Sequence, residues 1–320
     1  MPERARIRVG VSSCLLGQQV RYDGGHKHDH YLTDVLAEHF ELVPVCPELE
    51  VGMGVPREPI RLVAAPGQTG GARLVGTRSE RDHTEAMEAW SDRRLAELAG
   101  LDLRGWVFKK DSPSCGVFRV RVWHPAGQPT RDGTGMFARA FREAFPLVPV
   151  EEEGRLNDAR LRESFLERVF AYDRLVALGR DFSRGALVAF HTRHKMLLLA
   201  HGQPRYRALG KLVGEAKAHK PRALYERYAA DFMAALERPA TPKSHRNVLE
   251  HMLGHLKEHL DAGDKRELLD VIAEYAAERL PLVVPLTLLG HHVRRHAIAT
   301  LADQVYLDPH PRELMLRNHV

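Results

Sequence analysis

Residues 7–14 read IRVGVSSC, residues 41–46 read ELVPVC, and residues 105–115 read GWVFKKDSPSC. Each opens as a short apolar, β-branched or aromatic run and passes into a cysteine-bearing stretch. Runs of this kind, without polar alternation, predict strands buried on both faces of a parallel sheet. Between the first two strands, residues 31–40 carry Leu32, Val35, Leu36 and Phe40 at helical spacing. Residues 80–99 and 135–145 also read as helices, and 147–150 as a short strand. Strand and helix alternating in this way predict a Rossmann-like α/β N-terminal domain with a mainly parallel sheet.

The pattern changes at residues 150–158 (VEEEGRLND), a charged stretch. Beyond it, helical periodicity runs through 161–179, 186–201, 206–219, 222–236, 244–260, 265–277 and 286–301, with prolines between the runs. The expected organisation is an α/β domain over 1–152 and an all-α C-terminal domain over 153–320. Charge divides in the same place. Residues 155–320 hold 27 Lys and Arg against 20 Asp and Glu, whereas the remainder holds 20 against 22. A basic half joined to a near-neutral one suggests that the helical part meets a polyanion, although a solvated basic face needs no partner.

No apolar run approaches the ~18 residues of a membrane-spanning helix. The N-terminal stretch MPERARIRVGVSS has no apolar core of a secretory signal, so a cytoplasmic protein is expected. Three cysteines, an odd number in 320 residues, argue against a disulfide framework and leave core thiols, a nucleophile or metal ligands.

Placement favours ligands. Cys14 follows the first predicted strand, Cys46 ends the second, and Cys115 lies just past the third. In an open parallel sheet the carboxyl ends of the strands share one edge, where ligands bind. Three thiolates suit a 4Fe–4S cluster with one iron not bound by protein, since full ligation takes four. Zinc is the competing metal, with His26, His28 or His30 as a fourth ligand, but no Cys-x-x-Cys pair is present.

The motifs VSSCLLGQQVRYDGGHK (11–27), VCPELEVGMGVPREP (45–59) and KKDSPSCGV (109–117) resemble the thiouracil desulfidase family over roughly residues 5–150. FHTRHKMLLLAHGQPRYRALGKLV (190–213) resembles the helical domain fused to that module in bacterial tRNA 4-thiouridine desulfidases. The resemblance implies that Cys14, Cys46 and Cys115 hold a 4Fe–4S cluster whose open iron takes the substrate sulfur. It assigns catalytic roles to Glu48 and to a serine of SPSC, Ser112 in preference to Ser114, which is expected among the substrate-binding residues. The implied substrate is 4-thiouridine in tRNA. Free thiouracil or thionucleotides are the alternative, and an iron–sulfur redox sensor that binds nucleic acid is a third.

A thiocarbonyl sulfur is soft and suits iron, and a carboxylate two residues after a ligand, as Glu48 is after Cys46, can move a proton. Arg21 and Tyr22, in a predicted turn beside Cys14, are candidates for phosphate contact and base stacking. Arg193, Lys195, Arg205 and Arg207, with Tyr206, form a candidate phosphate-contacting patch. His251, His255 and His259 recur at helical spacing, as an exposed polar face also would. The oligomeric state is left open.

Overall fold

The computed structural model describes residues 6–65, 72–124 and 127–319. The chain divides into two compact units, Met1–Asn157 and Asp158–Val320. The first is α/β. Its strands are β1 (Ile7–Ser12), β2 (Phe40–Val45), β3 (Ile60–Ala64), β4 (Ala72–Gly76), β5 (Gly105–Phe108), β6 (Val120–Trp123), β7 (Thr130–Gly133) and β8 (Val150–Glu152). Its helices are α1 (Ala37–His39), α2 (Pro47–Glu50), α3 (Thr84–Ala99) and α4 (Met136–Ala144).

One sheet has the order β2-β1-β5-β8, with all three pairings parallel. The chain leaves β1 for β2 on one side and later returns to β5 on the other. That reversal makes the carboxyl end of β1 a topological switch point. Ser12 stands opposite Val45 and Val11 opposite Val107, so β1, β2 and β5 end at a common edge. The β5 residues Gly105–Phe108 are all buried, as expected of a strand covered on both faces. Gly10 pairs with Trp106, whose indole occupies the space a Cβ on Gly10 would need. Trp106 also packs on Phe141 of α4, ring centres 4.6 Å apart, and Trp90 of α3 packs on Phe137 of α4 at 5.1 Å.

The second sheet, β4-β3-β6-β7, is mixed: β3 pairs parallel with β6 and antiparallel with β4, and β6 pairs antiparallel with β7. The sequence pattern does not announce it. The strand expected over 147–150 forms instead at β8. The helix expected over 31–40 is a π-helical stretch, Tyr31–Leu36, continued by α1.

The second unit is helical throughout its ordered elements: α5 (Ala159–Arg180), α6 (Arg184–His201), α7 (Gln203–Gly214), α8 (Pro221–Leu236), α9 (Pro242–Leu256), α10 (Ala262–Ala276), α11 (Val283–Arg295) and α12 (Ala299–Ala302). Asp158 caps α5 by accepting from the backbone N–H groups of Arg160 and Leu161, and Ser183 caps α6. No helix among the described residues is long and apolar enough to cross a membrane.

A buried ionic network crosses this unit. His201 Nε2 lies 2.6 Å from Glu167 Oε1, and Arg317 lies 3.1 Å from both Glu163 and Glu167. Burial pushes the Glu167 carboxyl up, but the charge and hydrogen bond of His201, with Arg317, prevail and hold it at about 2. Burial pushes His201 down, yet Glu167 prevails and raises it. Removing one partner strands buried charge, so Glu167→Ala is expected to destabilise the unit by about 3–5 kcal/mol in denaturant unfolding near pH 6. The gap to wild type should narrow as pH falls from the ordinary carboxylate range toward about 2, where Glu167 takes a proton in the folded state. It should narrow again as pH rises through the elevated folded value of His201.

Candidate active site

The edge where β1, β2 and β5 end opens into a cavity of about 610 Å³ lined by Cys14, Cys46, Cys115, Glu48 and Ser112. Its size falls within the ~300–1,000 Å³ of small-ligand sites. Cys14 lies in the 3₁₀ turn after β1, Cys46 is the residue before α2, and Cys115 sits in the loop after β5. All three are buried and none forms a disulfide. The thiols are pushed up by burial and then by the Glu48 carboxylate: Cys14 to about 11, Cys46 to about 12, and Cys115 well above its ordinary value. Three thiolates here therefore need a compensating positive charge.

Buried carboxylates hold the Cys115 loop. Glu152 accepts from the N–H groups of Val117 at 2.7 Å and Phe118 at 3.0 Å. Glu153 accepts from Lys110 N at 2.7 Å and pairs with Lys109 Nζ at 2.5 Å. Glu152 and Glu153, read from sequence as part of a charged stretch, are thus buried anchors of this loop, and Glu151 is buried beside them against Arg155. Burial raises Glu152, against the two N–H donors that lower it. The N-terminus of α4 closes the loop from another side. Met136 N donates to Pro113 O, Ala138 N to Ser114 O, and Gly135 N to Gly116 O. A Cβ on Gly135 would lie about 2.5 Å from the Ser114 backbone. Gly135 and the first turn of α4 therefore support backbone carbonyls of the Cys115 loop.

Glu48 stands between the cysteine loops. Its Oε2 lies 3.6 Å from Cys46 Sγ, and its Oε1 accepts from Ser114 Oγ at 2.5 Å and Ser112 Oγ at 3.4 Å. Ser112 Oγ accepts from Cys115 N at 3.1 Å. Ser112 lines the cavity, whereas Ser114 is fully buried. Arg57, which sequence reasoning passed over inside the second motif, lies 4.0 Å from Glu48 Oε2 and donates to Val20 O and Gly54 O. Its only sequence signal was a cation directly after a turn-forming Gly-Val-Pro. Arg21 and Tyr22 also line the cavity, with the guanidinium 5.5 Å from the ring centre and a Gly24 N–H donating to Arg21 O.

Other candidates lie elsewhere. His26, His28 and His30 are outside the cavity lining. His28 and His30 instead approach Asp34, with ligand-capable atoms within 4.8 Å of one another at an exposed surface. In the helical unit, Arg193 on α6 and Arg205 and Arg207 on α7 are exposed, and Lys195 is half-buried. Tyr206 stacks on His191 at 6.4 Å. His251 and His255 pack edge-on at 5.3 Å on the exposed side of α9.

Residues 9–153 match the family described as 2-thiouracil desulfurase, and residues 195–311 match a family described as a protein of unknown function, DUF1722. The uncharacterized protein YbgA of Escherichia coli (strain K12) is 35% identical over 167 residues, covering 51% of this chain and 98% of YbgA. The uncharacterized protein YbbK of Bacillus subtilis (strain 168) is 32% identical over 151 residues, covering 46% of this chain and 97% of YbbK. The solved structure of the 4Fe–4S-dependent thiouracil desulfidase TudS is 28% identical, with a TM-score of 0.38, over 48% of this chain and 95% of that one.

Glu152→Ala strands the buried Val117 N–H, at about 1–3 kcal/mol, and the half-buried Phe118 N–H at less. Denaturant unfolding of the first unit should show that loss. Iron bound per chain after anaerobic loading should fall with it, because the Cys115 loop loses its fixed path. Unchanged stability and loading would show that the carboxylate does not anchor the loop.

Proposed function

We propose, from the match of residues 9–153 to the 2-thiouracil desulfurase family, that the chain is a desulfidase for thiolated uracil. The observation that carries this reading is the convergence of Cys14, Cys46, Cys115 and Glu48 on one cavity. Three buried thiols with no fourth cysteine or histidine in the lining fit a 4Fe–4S cluster with one iron open to substrate. Such a cluster, when bound, supplies the positive charge that three thiolates need and a soft Lewis acid for the thiocarbonyl sulfur.

The residues of the chain carry the proton chemistry. Water oxygen replaces sulfur at the ring carbon: a C–O bond forms, the C–S bond breaks, and both water protons leave with sulfur as hydrogen sulfide. No electrons are gained or lost overall. Glu48 is the group placed to take a proton from water and return one to departing sulfide. Ser112 Oγ reaches the cavity and orients that carboxylate or relays its proton. Ser114, buried behind it, and Arg57 act as positioning residues that fix the carboxylate between Cys46 and Cys115. A cytoplasmic setting keeps the three thiols reduced.

The finer reading is 4-thiouridine in tRNA. It is favoured by the positive excess of residues 155–320 and the exposed Arg193, Arg205 and Arg207 beside Lys195, suited to phosphate contact. Arg21 and Tyr22 at the cavity suit the nucleotide that carries the base.

Anaerobic assay of sulfide release from thiolated tRNA, 4-thiouridine and thiouracil in parallel tests both levels. Release from thiouracil without tRNA preference supports only the coarser reading, and release from none contradicts both. Glu48→Gln should keep bound iron while losing about 10²-fold or more in turnover, and Ser112→Ala should lose less. Normal turnover by Glu48→Gln would remove its catalytic role.

A further inference from the structure

The cavity has a second chemistry at the strands of the mixed sheet. Its lining contributes eight Lys and Arg against three Asp and Glu. Arg57 is committed to Glu48 and backbone carbonyls, and Lys109 to Glu153. Three arginines instead form a row across adjacent strands. Arg121 of β6 stands opposite Arg131 of β7. The parallel register that sets Leu62 beside Val122 sets Arg61 of β3, one residue earlier, beside Arg121.

Like charges opposed across strands are unfavourable unless something neutralises them. The neighbouring acids do so weakly: Arg61 is 4.0 Å from Glu80 and Arg131 is 3.8 Å from Asp111, both at exposed carboxylates. Arg121 makes no ion pair among the described residues, and Arg61 Nε is buried without a hydrogen-bond partner. On the same exposed side of β6 as Arg121, Trp123 is 37% exposed, and the Arg61 guanidinium lies 5.6 Å from its ring centre. A cationic track beside an aromatic platform is what binds single-stranded nucleic acid through phosphates and stacked bases.

We propose that Arg61, Arg121, Arg131 and Trp123 form a docking platform for the RNA strand flanking the thiolated base, with phosphates on the arginine row and a neighbouring base on Trp123. This rests on the desulfidase reading of the cavity and deepens it. It makes a polynucleotide the substrate class and places RNA recognition in the α/β unit as well as in the helical one. A free base carries no phosphate and has no use for the row.

The test uses the full chain with its metal loaded and two substrates: a short single-stranded RNA carrying one 4-thiouridine, and free 4-thiouracil. Trp123→Ala should lower the ratio of kcat/KM on RNA to kcat/KM on free base about tenfold or more, the scale of one lost stacking contact. Trp123→Phe should restore most of it. Arg121→Gln and Arg131→Gln should each flatten the log–log salt dependence of RNA turnover by about 0.7, as for one lost phosphate contact on a single strand. An unchanged ratio in Trp123→Ala, or equal losses on both substrates, would overturn the platform. Fluorescence anisotropy with the same RNA lacking sulfur separates this from the desulfidase reading. If wild type releases sulfide from neither substrate, salt-dependent RNA binding that Arg121→Gln/Arg131→Gln weakens still supports the platform, and binding indifferent to that change overturns it.

Discussion

Parallel hydrogen bonding of β1 to β2 on one side and β5 on the other is the constraint on which the site depends. It fixes where three loops leave the sheet, because Ser12, Val45 and Phe108 end their strands along one edge. Sequence positions 14, 46 and 115 then become neighbours around one cavity. The longest of the three excursions, from β5 to Cys115, cannot rely on the strand end alone. Ser12 Oγ accepts from Lys109 N, Glu153 holds Lys110, Glu152 holds Val117 and Phe118, and α4 holds the carbonyls between them. The sheet sets the convergence, and buried carboxylates with a helix end set its geometry.

Electrostatics explains why this pocket is suited to a metal. Burial disfavours thiolates, and Glu48 adds a negative charge among them. Arg57 and Lys109 offset part of that, but Arg57 is already engaged with Glu48 itself and Lys109 with Glu153. A multivalent cationic group reverses the local balance, as bound metal ions do. The same carboxylate that makes the thiols harder to ionise is the one placed to handle protons beside a thiocarbonyl.

The first sheet was legible because its strands are apolar runs buried on both faces, and the cysteines were legible because each follows one. The parallel sheet and the helical second unit agree with the sequence pattern. The mixed sheet was not legible. β6 alternates buried and exposed residues over only four positions, and β7 (TRDG) contains no apolar residue, so neither offers a run to detect. β7 is defined by its pairing with β6 rather than by its own propensity. Residues 151–153 misled in the opposite sense: three consecutive glutamates suggest a solvated stretch, but Glu151 is buried against Arg155, Glu152 against the N–H groups of Val117 and Phe118, and Glu153 against Lys109 and Lys110. The sequence also could not separate Ser112 from Ser114. The fold separates them by burial, with Ser112 at the cavity and Ser114 behind the carboxylate it binds.

The account stands most directly on what the three thiols hold. Iron, zinc and acid-labile sulfide should be measured per chain in anaerobically prepared protein, in wild type and in Cys14→Ala, Cys46→Ala and Cys115→Ala. The account predicts about four iron and four sulfide in wild type, with loss of both in each variant. One equivalent of zinc without sulfide, or iron and sulfide retained after any one cysteine is removed, would contradict it.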